Sequence, residues 1–232
     1  MLLRMTLDPR TPVLIGQGQV LDRSVDPTTA KHPVALMAEA LTAAALDAGI
    51  TLPNEVDSIR VVRLLSWKYA NAAHALGTAC GVRAHEYATT PHGGNMPQTL
   101  VNMTAGQILR GEVDFVVLAG GESARARAAV RDVSLLPWPA AESASAPSPS
   151  PSHIVEDLAL LNDEEIRLGI VMPVQIYPMF ETALRAAANR SVQNHDERIA
   201  ALWSRFSAVA RDNEWAWSRT ALTTDEVSRV TP

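Results

Sequence analysis

Two glycine-rich turns hold the residue types that could do chemistry in this chain. The first turn runs from His92 to Asn95, and the second runs from Gly120 to Glu122. A histidine held in a tight turn can act as a general base, or it can line a pocket without reacting. Glu122 follows two glycines, which fits either an acid at the start of a helix or a polar group at the mouth of a strand.

Two further side chains have reactive groups in less favourable surroundings. Cys80 ends a run of small residues, with Arg83 as its only nearby cation and no evident base, which favours a buried structural thiol over a nucleophile. His195 stands beside Asp196 and Glu197 at a predicted helix start, where surface histidines are common, and we expect a structural role for it. The spacing of histidine, cysteine and carboxylate residues predicts no metal site.

A third glycine pair lies near the start of the chain. Gly16 and Gly18 follow a short apolar run, as in dinucleotide-binding loops. Leu21 stands where the third glycine of that fingerprint would be, so a simple turn between a strand and a loop is the favoured interpretation.

Composition excludes several classes of protein. The chain has 232 residues, of which 47% are hydrophobic, and a net charge of -5. This length and hydrophobic content allow a sizeable core. The net negative charge is not typical of a nucleic-acid-binding protein, which usually has a strongly basic surface. The single cysteine fits a reducing compartment, and no window reaches the roughly 20 apolar residues of a membrane helix. We expect a soluble cytoplasmic protein without a signal peptide.

Predicted strands and helices alternate in the first part of the chain. Strands are predicted at residues 13–16, 56–65, 86–90 and 113–118, and helices at 33–48, 71–79 and 96–110. This alternation predicts an α/β fold, with a mostly parallel sheet and helices on both faces. Ligands of such sheets bind beyond the carboxyl ends of the strands. The candidate pocket residues at these ends are His92, Gly93, Gly94, Asn95, Gly120, Gly121 and Glu122.

The composition changes after residue 136. Residues 137–152 are rich in serine, proline and alanine, which predicts a linker or mobile loop. Helical patterns follow at 173–188 and 195–211, where Ser191 or Asn194 could cap the second helix. The predicted organisation is therefore an α/β core over 1–136, a linker over 137–152 and a helical loop domain over 153–232.

Four stretches of the chain resemble motifs of one known superfamily. The stretch from Ile108 to Gly111 is similar to the end of the family's nucleophile helix, and Val113 to Ser123 is similar to the following strand and its turn. Arg10 to Val13 resembles the opening strand. Tyr177 to Ala183 resembles a loop-domain motif. Together these motifs resemble the thiolase superfamily, and most of all the sterol-carrier-protein type of thiolase and its bacterial relatives. The resemblance implies the N-terminal half of a thiolase-like fold.

The resemblance also implies roles for particular positions. The reactive cysteine of the family falls at or next to Gly94, which cannot accept an acyl group, so no catalytic residue is assigned here. Backbone N–H groups near Gly94 and Gly121 could still polarise a thioester carbonyl. Met179 corresponds to a methionine that lines the pantetheine channel, while Pro178 replaces a histidine of that motif.

Three functions remain open at this stage. The first is a thiolase-like protein that binds acyl-CoA, with a coenzyme A ester as ligand or substrate and no other cofactor. The second is an acyltransferase that uses Cys80. The third is a non-enzymatic assembly subunit, either a homodimer joined near Tyr87 to Thr90 or the N-terminal portion of a two-part acyltransferase whose partner supplies the C-terminal half. A nucleotide-binding module is a more distant alternative.

Overall fold

The computed structural model describes residues 8–24, 26–139, 148–157, 159 and 161–229. The chain divides into two compact units, Met1–Leu158 and Ala159–Pro232. The helices of the first unit are α1 (Pro33–Ala48), α2 (Ala72–Cys80), α3 (Met96–Arg110) and α4 (Ala124–Ala129), followed by a short 3-10 helix, Val133–Leu135. Its strands are β1 (Glu55–Val61), β2 (Arg83–Thr89), β3 (Val116–Ala119) and β4 (Ser152–His153).

Local capping sets the ends of the three long helices of this unit. Each of them ends at a glycine in the left-handed conformation, a conformation that glycine adopts without steric cost: Gly49, Gly81 and Gly111. Asn71 caps the start of α2 by accepting a hydrogen bond from the backbone N–H of His74. The helices predicted over 33–48, 71–79 and 96–110 are confirmed, since the observed bounds differ from them by one residue or none.

The four strands form one parallel sheet in the order β3-β1-β2-β4. Val61, at the end of β1, pairs with Thr89 on one side and with Ala119 on the other. Helices α1 and α2 cover one face, where Ile59 and Val61 are fully buried. Helix α3 covers the opposite face. The predicted fold class, a parallel sheet with helices on both faces, is confirmed.

The strand predicted at residues 13–16 is wrong. Residues 11–20 form no helix or strand, and Val13 and Leu14 are 70% and 85% exposed. This segment lies against α1 and does not pair with β3. A Cβ atom at Gly16 would lie 2.2 Å from the carbonyl oxygen of Ala44. The glycines of the suspected dinucleotide motif therefore allow the backbone to approach a helix closely.

The observed strands are shorter than the apolar runs that predicted β1 and β3. Residues 62–65 leave the sheet after Val61. Ahead of β3, the backbone N–H groups of Asp114 and Phe115 donate to Oδ2 of Asp57, at 2.6 and 2.9 Å. These hydrogen bonds lower the pKa of the Asp57 carboxyl and join the entry of β3 to a side chain.

Residues 140–147 of the predicted linker lie outside the described residues, and both flanks of that stretch contact other parts of the first unit. The indole N–H of Trp138 donates to the carbonyl oxygen of Ala30 at 2.7 Å. The side-chain amide of Asn71 donates to the carbonyl oxygen of Pro149 at 2.9 Å. Strand β4 then pairs with the end of β2.

The second unit is helical over its described residues. It contains α5 (Asp163–Arg167), α6 (Pro173–Ala187), α7 (Val192–Asp212) and α8 (Thr224–Ser228). Ser191, one of the two predicted caps, accepts a hydrogen bond from the backbone N–H of Asn194 and begins α7. Within the described parts of both units, no helix is long and apolar enough to cross a membrane.

Candidate functional site at the carboxyl edge of the sheet

The strand register brings both glycine turns to one edge of the sheet. The turn from His92 to Asn95 follows β2, and the turn from Gly120 to Glu122 follows β3. Strand β1 lies between those two strands. The spacing of neighbouring strands therefore separates the strand ends that carry the turns by about 10 Å.

The first turn leads directly into the N-terminus of α3. The backbone N–H of Met96 donates to the carbonyl oxygen of Gly93 at 3.1 Å, and Asn95 provides no side-chain cap. Pro97 in the first turn has no N–H, so this helix start favours an anion or oxyanion mainly through the positive end of the helix dipole. A Cβ atom placed at Gly94 would meet no atom within 4 Å, so the turn is open there. His92 is exposed.

The second turn serves to join loops. Glu122 accepts hydrogen bonds from the backbone N–H groups of Leu65 and Ser66, at 2.6 and 2.8 Å. A Cβ atom at Gly121 would lie 3.0 Å from the side chain of Met37 on α1. Neither of the two sequence interpretations of Glu122 included this contact, because it depends on residues more than 50 positions earlier in the chain.

A histidine and tyrosine pair near this edge was not predicted. Nδ1 of His32 lies 2.9 Å from the hydroxyl oxygen of Tyr69, and it also accepts a hydrogen bond from the backbone N–H of Ala35. Burial lowers the pKa of His32 and raises the pKa of Tyr69 to about 12, so both groups are neutral at pH 7. In the sequence, His32 directly precedes Pro33, which is a pattern typical of helix starts and could have drawn attention to His32.

A buried arginine beneath α3 was also missed. Arg60 is 1% exposed. Its guanidinium donates to Ser58 Oγ at 3.0 Å, to Thr104 Oγ1 at 2.8 Å, to Gln107 Oε1 at 2.6 Å and to Glu86 Oε2 at 3.3 Å. In the sequence, Arg60 stands between the apolar residues Ile59 and Val61 of a predicted strand, and a charged residue at such a place needs several partners when it is buried.

Cys80 lies at the opposite end of the sheet. It ends α2 three residues before β2 begins, whereas Gly94 follows the end of β2. A strand of this length separates the two positions by roughly 20 Å. Burial raises the pKa of the Cys80 thiol, which disfavours the nucleophilic thiolate.

The remaining predicted residues lie in the second unit. Met179 is on α6 and is 47% exposed. His195, expected near the surface, is 6% exposed within the contact of α6 with α7. At this contact, Oε2 of Glu181 on α6 lies 2.8 Å from its Nε2. Among the described residues, no group of three or more histidine, cysteine or acidic side chains could hold a metal ion.

Comparison with known proteins found a match among solved structures but none among family models or curated proteins. Among solved structures, a monomeric SCP2-thiolase like protein type 1 from Mycobacterium smegmatis is similar over 97% of this chain, with 27% sequence identity and a TM-score of 0.70. This chain has an SCP2-thiolase-like fold. It spans 40% of the length of that protein.

The SCP2-thiolase-like fold confirms the family resemblance stated from the motifs. It covers almost the whole chain, including the helical second unit, where Tyr177 to Ala183 carried the resemblance. The nucleophile position, the coenzyme A site and dimer formation stay predictions.

Proposed function

We propose that this chain is a thiolase-like protein that binds acyl-CoA and does not itself provide the nucleophile of thiolase chemistry. The observation that carries the proposal is the SCP2-thiolase-like fold over 97% of the chain. The turn that leads into α3 corresponds to the family's nucleophile turn, and it holds Gly94 in place of a thiol.

The chemistry open to this turn is electrostatic. The turn at Gly94 leads into the N-terminus of α3, where the positive end of the helix dipole favours negative charge. A thioester carbonyl placed there would be polarised without forming a covalent bond to the protein. A complete acyl transfer would need an acceptor from another molecule or another polypeptide, so we expect no thiolase turnover by this chain alone.

Isothermal titration of the full chain with coenzyme A and with acetyl-CoA tests the proposal. We expect binding of both ligands, and we expect Met179→Glu to weaken it by roughly tenfold because a carboxylate would lie against the apolar pantetheine arm. The matched control is Val174→Glu on the same helix, a residue that is 76% exposed. Lack of binding by the unmodified chain, or equal losses in both variants, would contradict the proposal.

A second candidate function is one part of a two-part acyltransferase. The specific observation is that this chain spans 40% of the SCP2-thiolase-like protein that it resembles. Strand β3 has no strand on its outer side within the described residues, and Val13 and Leu14 beside it are largely exposed. A further polypeptide could cover these groups. The segment from Tyr87 to Thr90, where the sequence predicts dimer contact, is less available to another polypeptide, because β4 already pairs with Ala88 and Thr89 of this segment.

A further inference from the structure

The contact between α6 and α7 buries a histidine that the proposed coenzyme A chemistry does not use. The imidazole of His195 holds Glu181 through Nε2 at 2.8 Å. Its other ring nitrogen, Nδ1, is buried without a hydrogen-bond partner among the described residues. Because a buried polar atom without a partner costs free energy, this nitrogen marks the space beside it as a candidate ligand site.

His195 lines a cleft of about 430 Å³ that lies entirely within the second unit. One part of its wall is apolar, formed by side chains that include Leu184, Ile199 and Leu202. Met179 is not among the residues that line it, so the cleft is distinct from the position proposed for coenzyme A.

Two arginines, Arg190 and Arg198, line the same cleft. Within the described parts of the chain, neither guanidinium forms a hydrogen bond or an ion pair. Arg190 stands in the turn that joins the two helices, and Nη1 of Arg185 donates to its carbonyl oxygen at 2.9 Å. Asn189, just before it, has a positive φ of 50°, as at many helix ends. The turn therefore fixes the backbone of Arg190.

The charges around the cleft favour an anion. Glu181 from α6 is the acidic group of its lining, and it faces Arg198 and His195 from α7 and Arg190 from the turn. A carboxylate is a natural partner for guanidinium groups, because it accepts two parallel hydrogen bonds. The apolar wall beside them favours a hydrocarbon chain on the same ligand.

We propose that this cleft binds an organic acid, with the carboxylate held by the guanidinium groups of Arg190 and Arg198. A short hydrocarbon chain of the acid packs against Leu184, Ile199 and Leu202. This site goes beyond the proposed function, since it needs neither coenzyme A nor the turn at Gly94.

Isothermal titration of the full chain with hexanoate tests this site, with hexanol and inorganic phosphate as comparison ligands. We expect hexanoate to bind, and we expect Arg198→Gln and Arg190→Gln each to weaken it by roughly tenfold through loss of a charged hydrogen bond. The matched control is Arg205→Gln, an exposed arginine of α7 outside the cleft, which should leave binding unchanged. Nitrogen-15 NMR of the imidazoles should show shifted signals of His195 on addition of hexanoate, because this ring lines the cleft.

Three results would overturn the assignment. Equal binding of hexanol would show that the negative charge of the ligand is not recognised. Binding of phosphate but not of hexanoate would show a site for inorganic anions only. Lack of hexanoate binding, or a loss no larger in the cleft variants than in Arg205→Gln, would remove the site altogether. None of these results depends on coenzyme A, so failure here and failure of the acyl-CoA proposal are distinguishable.

Discussion

At the scale of single residues, the surroundings of a thiol decide its reactivity more than its presence in the sequence. Cys80 lies at the C-terminal end of α2, where burial raises its pKa. The turn at Gly94 offers the opposite surroundings, because it is open and leads into the N-terminus of α3. Helix N-termini stabilise thiolates. The chain thus has a thiol where reaction is disfavoured and a glycine where reaction would be favoured.

We expect Gly94→Cys to create an acyl-accepting thiol. The added side chain meets no atom within 4 Å, and Gly94 is not among the residues with positive φ, so the turn should accept it. After incubation with acetyl-CoA at pH 7, mass spectrometry of peptides should find the acetyl group on the new cysteine at roughly ten times its level on Cys80.

The matched control for this experiment is Asn102→Cys, which places a thiol on the exposed face of the same helix, away from its N-terminus. Equal acetylation at positions 94 and 102 would mean that the helix start does not activate the turn.

At the scale of elements, a polar layer joins the sheet to α3. Arg60 on β1 bonds to Glu86 on β2 and to Thr104 and Gln107 on α3. On the opposite face of the same strand, Ile59 and Val61 belong to the apolar core. A buried cation is tolerated only when its donors are paired. The position of α3, and with it the start of the helix at the glycine turn, therefore depends on these hydrogen bonds.

Replacement of Arg60 by methionine should lower the free energy of unfolding by about 3 kcal/mol, because it leaves Thr104 and Gln107 without their charged donor and removes the ion pair with Glu86. Urea denaturation measures this change. The control is Arg83→Met on the neighbouring strand, which breaks an exposed ion pair with Glu55 and should cost less than about 1 kcal/mol. Similar losses in the two variants would show that the buried network adds no stability.

At the scale of the whole molecule, apolar surface remains uncovered in both units. In the first unit, Leu14 is 85% exposed in the segment that lines a cavity of about 580 Å³ together with β3. In the second unit, Trp203 and Phe206 on α7 are more than half exposed. Apolar surface of this kind is typical of proteins that contact another polypeptide.

We expect the purified chain to self-associate in light scattering at high concentration, and Leu14→Lys to shift it towards the monomer because a buried lysine would lose its hydration. Leu46→Lys is the matched control, since Leu46 is 82% exposed on α1 and does not line the cavity beside β3. A monomer at every concentration would argue against an assembly role.

The sequence by itself determined the features that depend on near neighbours. The ends of α1, α2 and α3 follow from caps and glycines within a few residues, and the alternation of strands and helices determined the parallel sheet. The thiolase resemblance could also be stated from short motifs, because each is contiguous in the chain.

Only the tertiary structure decided which groups meet across long separations in the chain. The apolar run at 13–16 had the pattern of a strand, yet its glycines lie against α1 and it pairs with no strand among the described residues. Glu122 joined two loops, Arg60 found partners on three elements, and His195 became buried beside Glu181. Hydrophobic patterns report the burial that a residue prefers, whereas hydrogen-bond partners depend on which elements pack together.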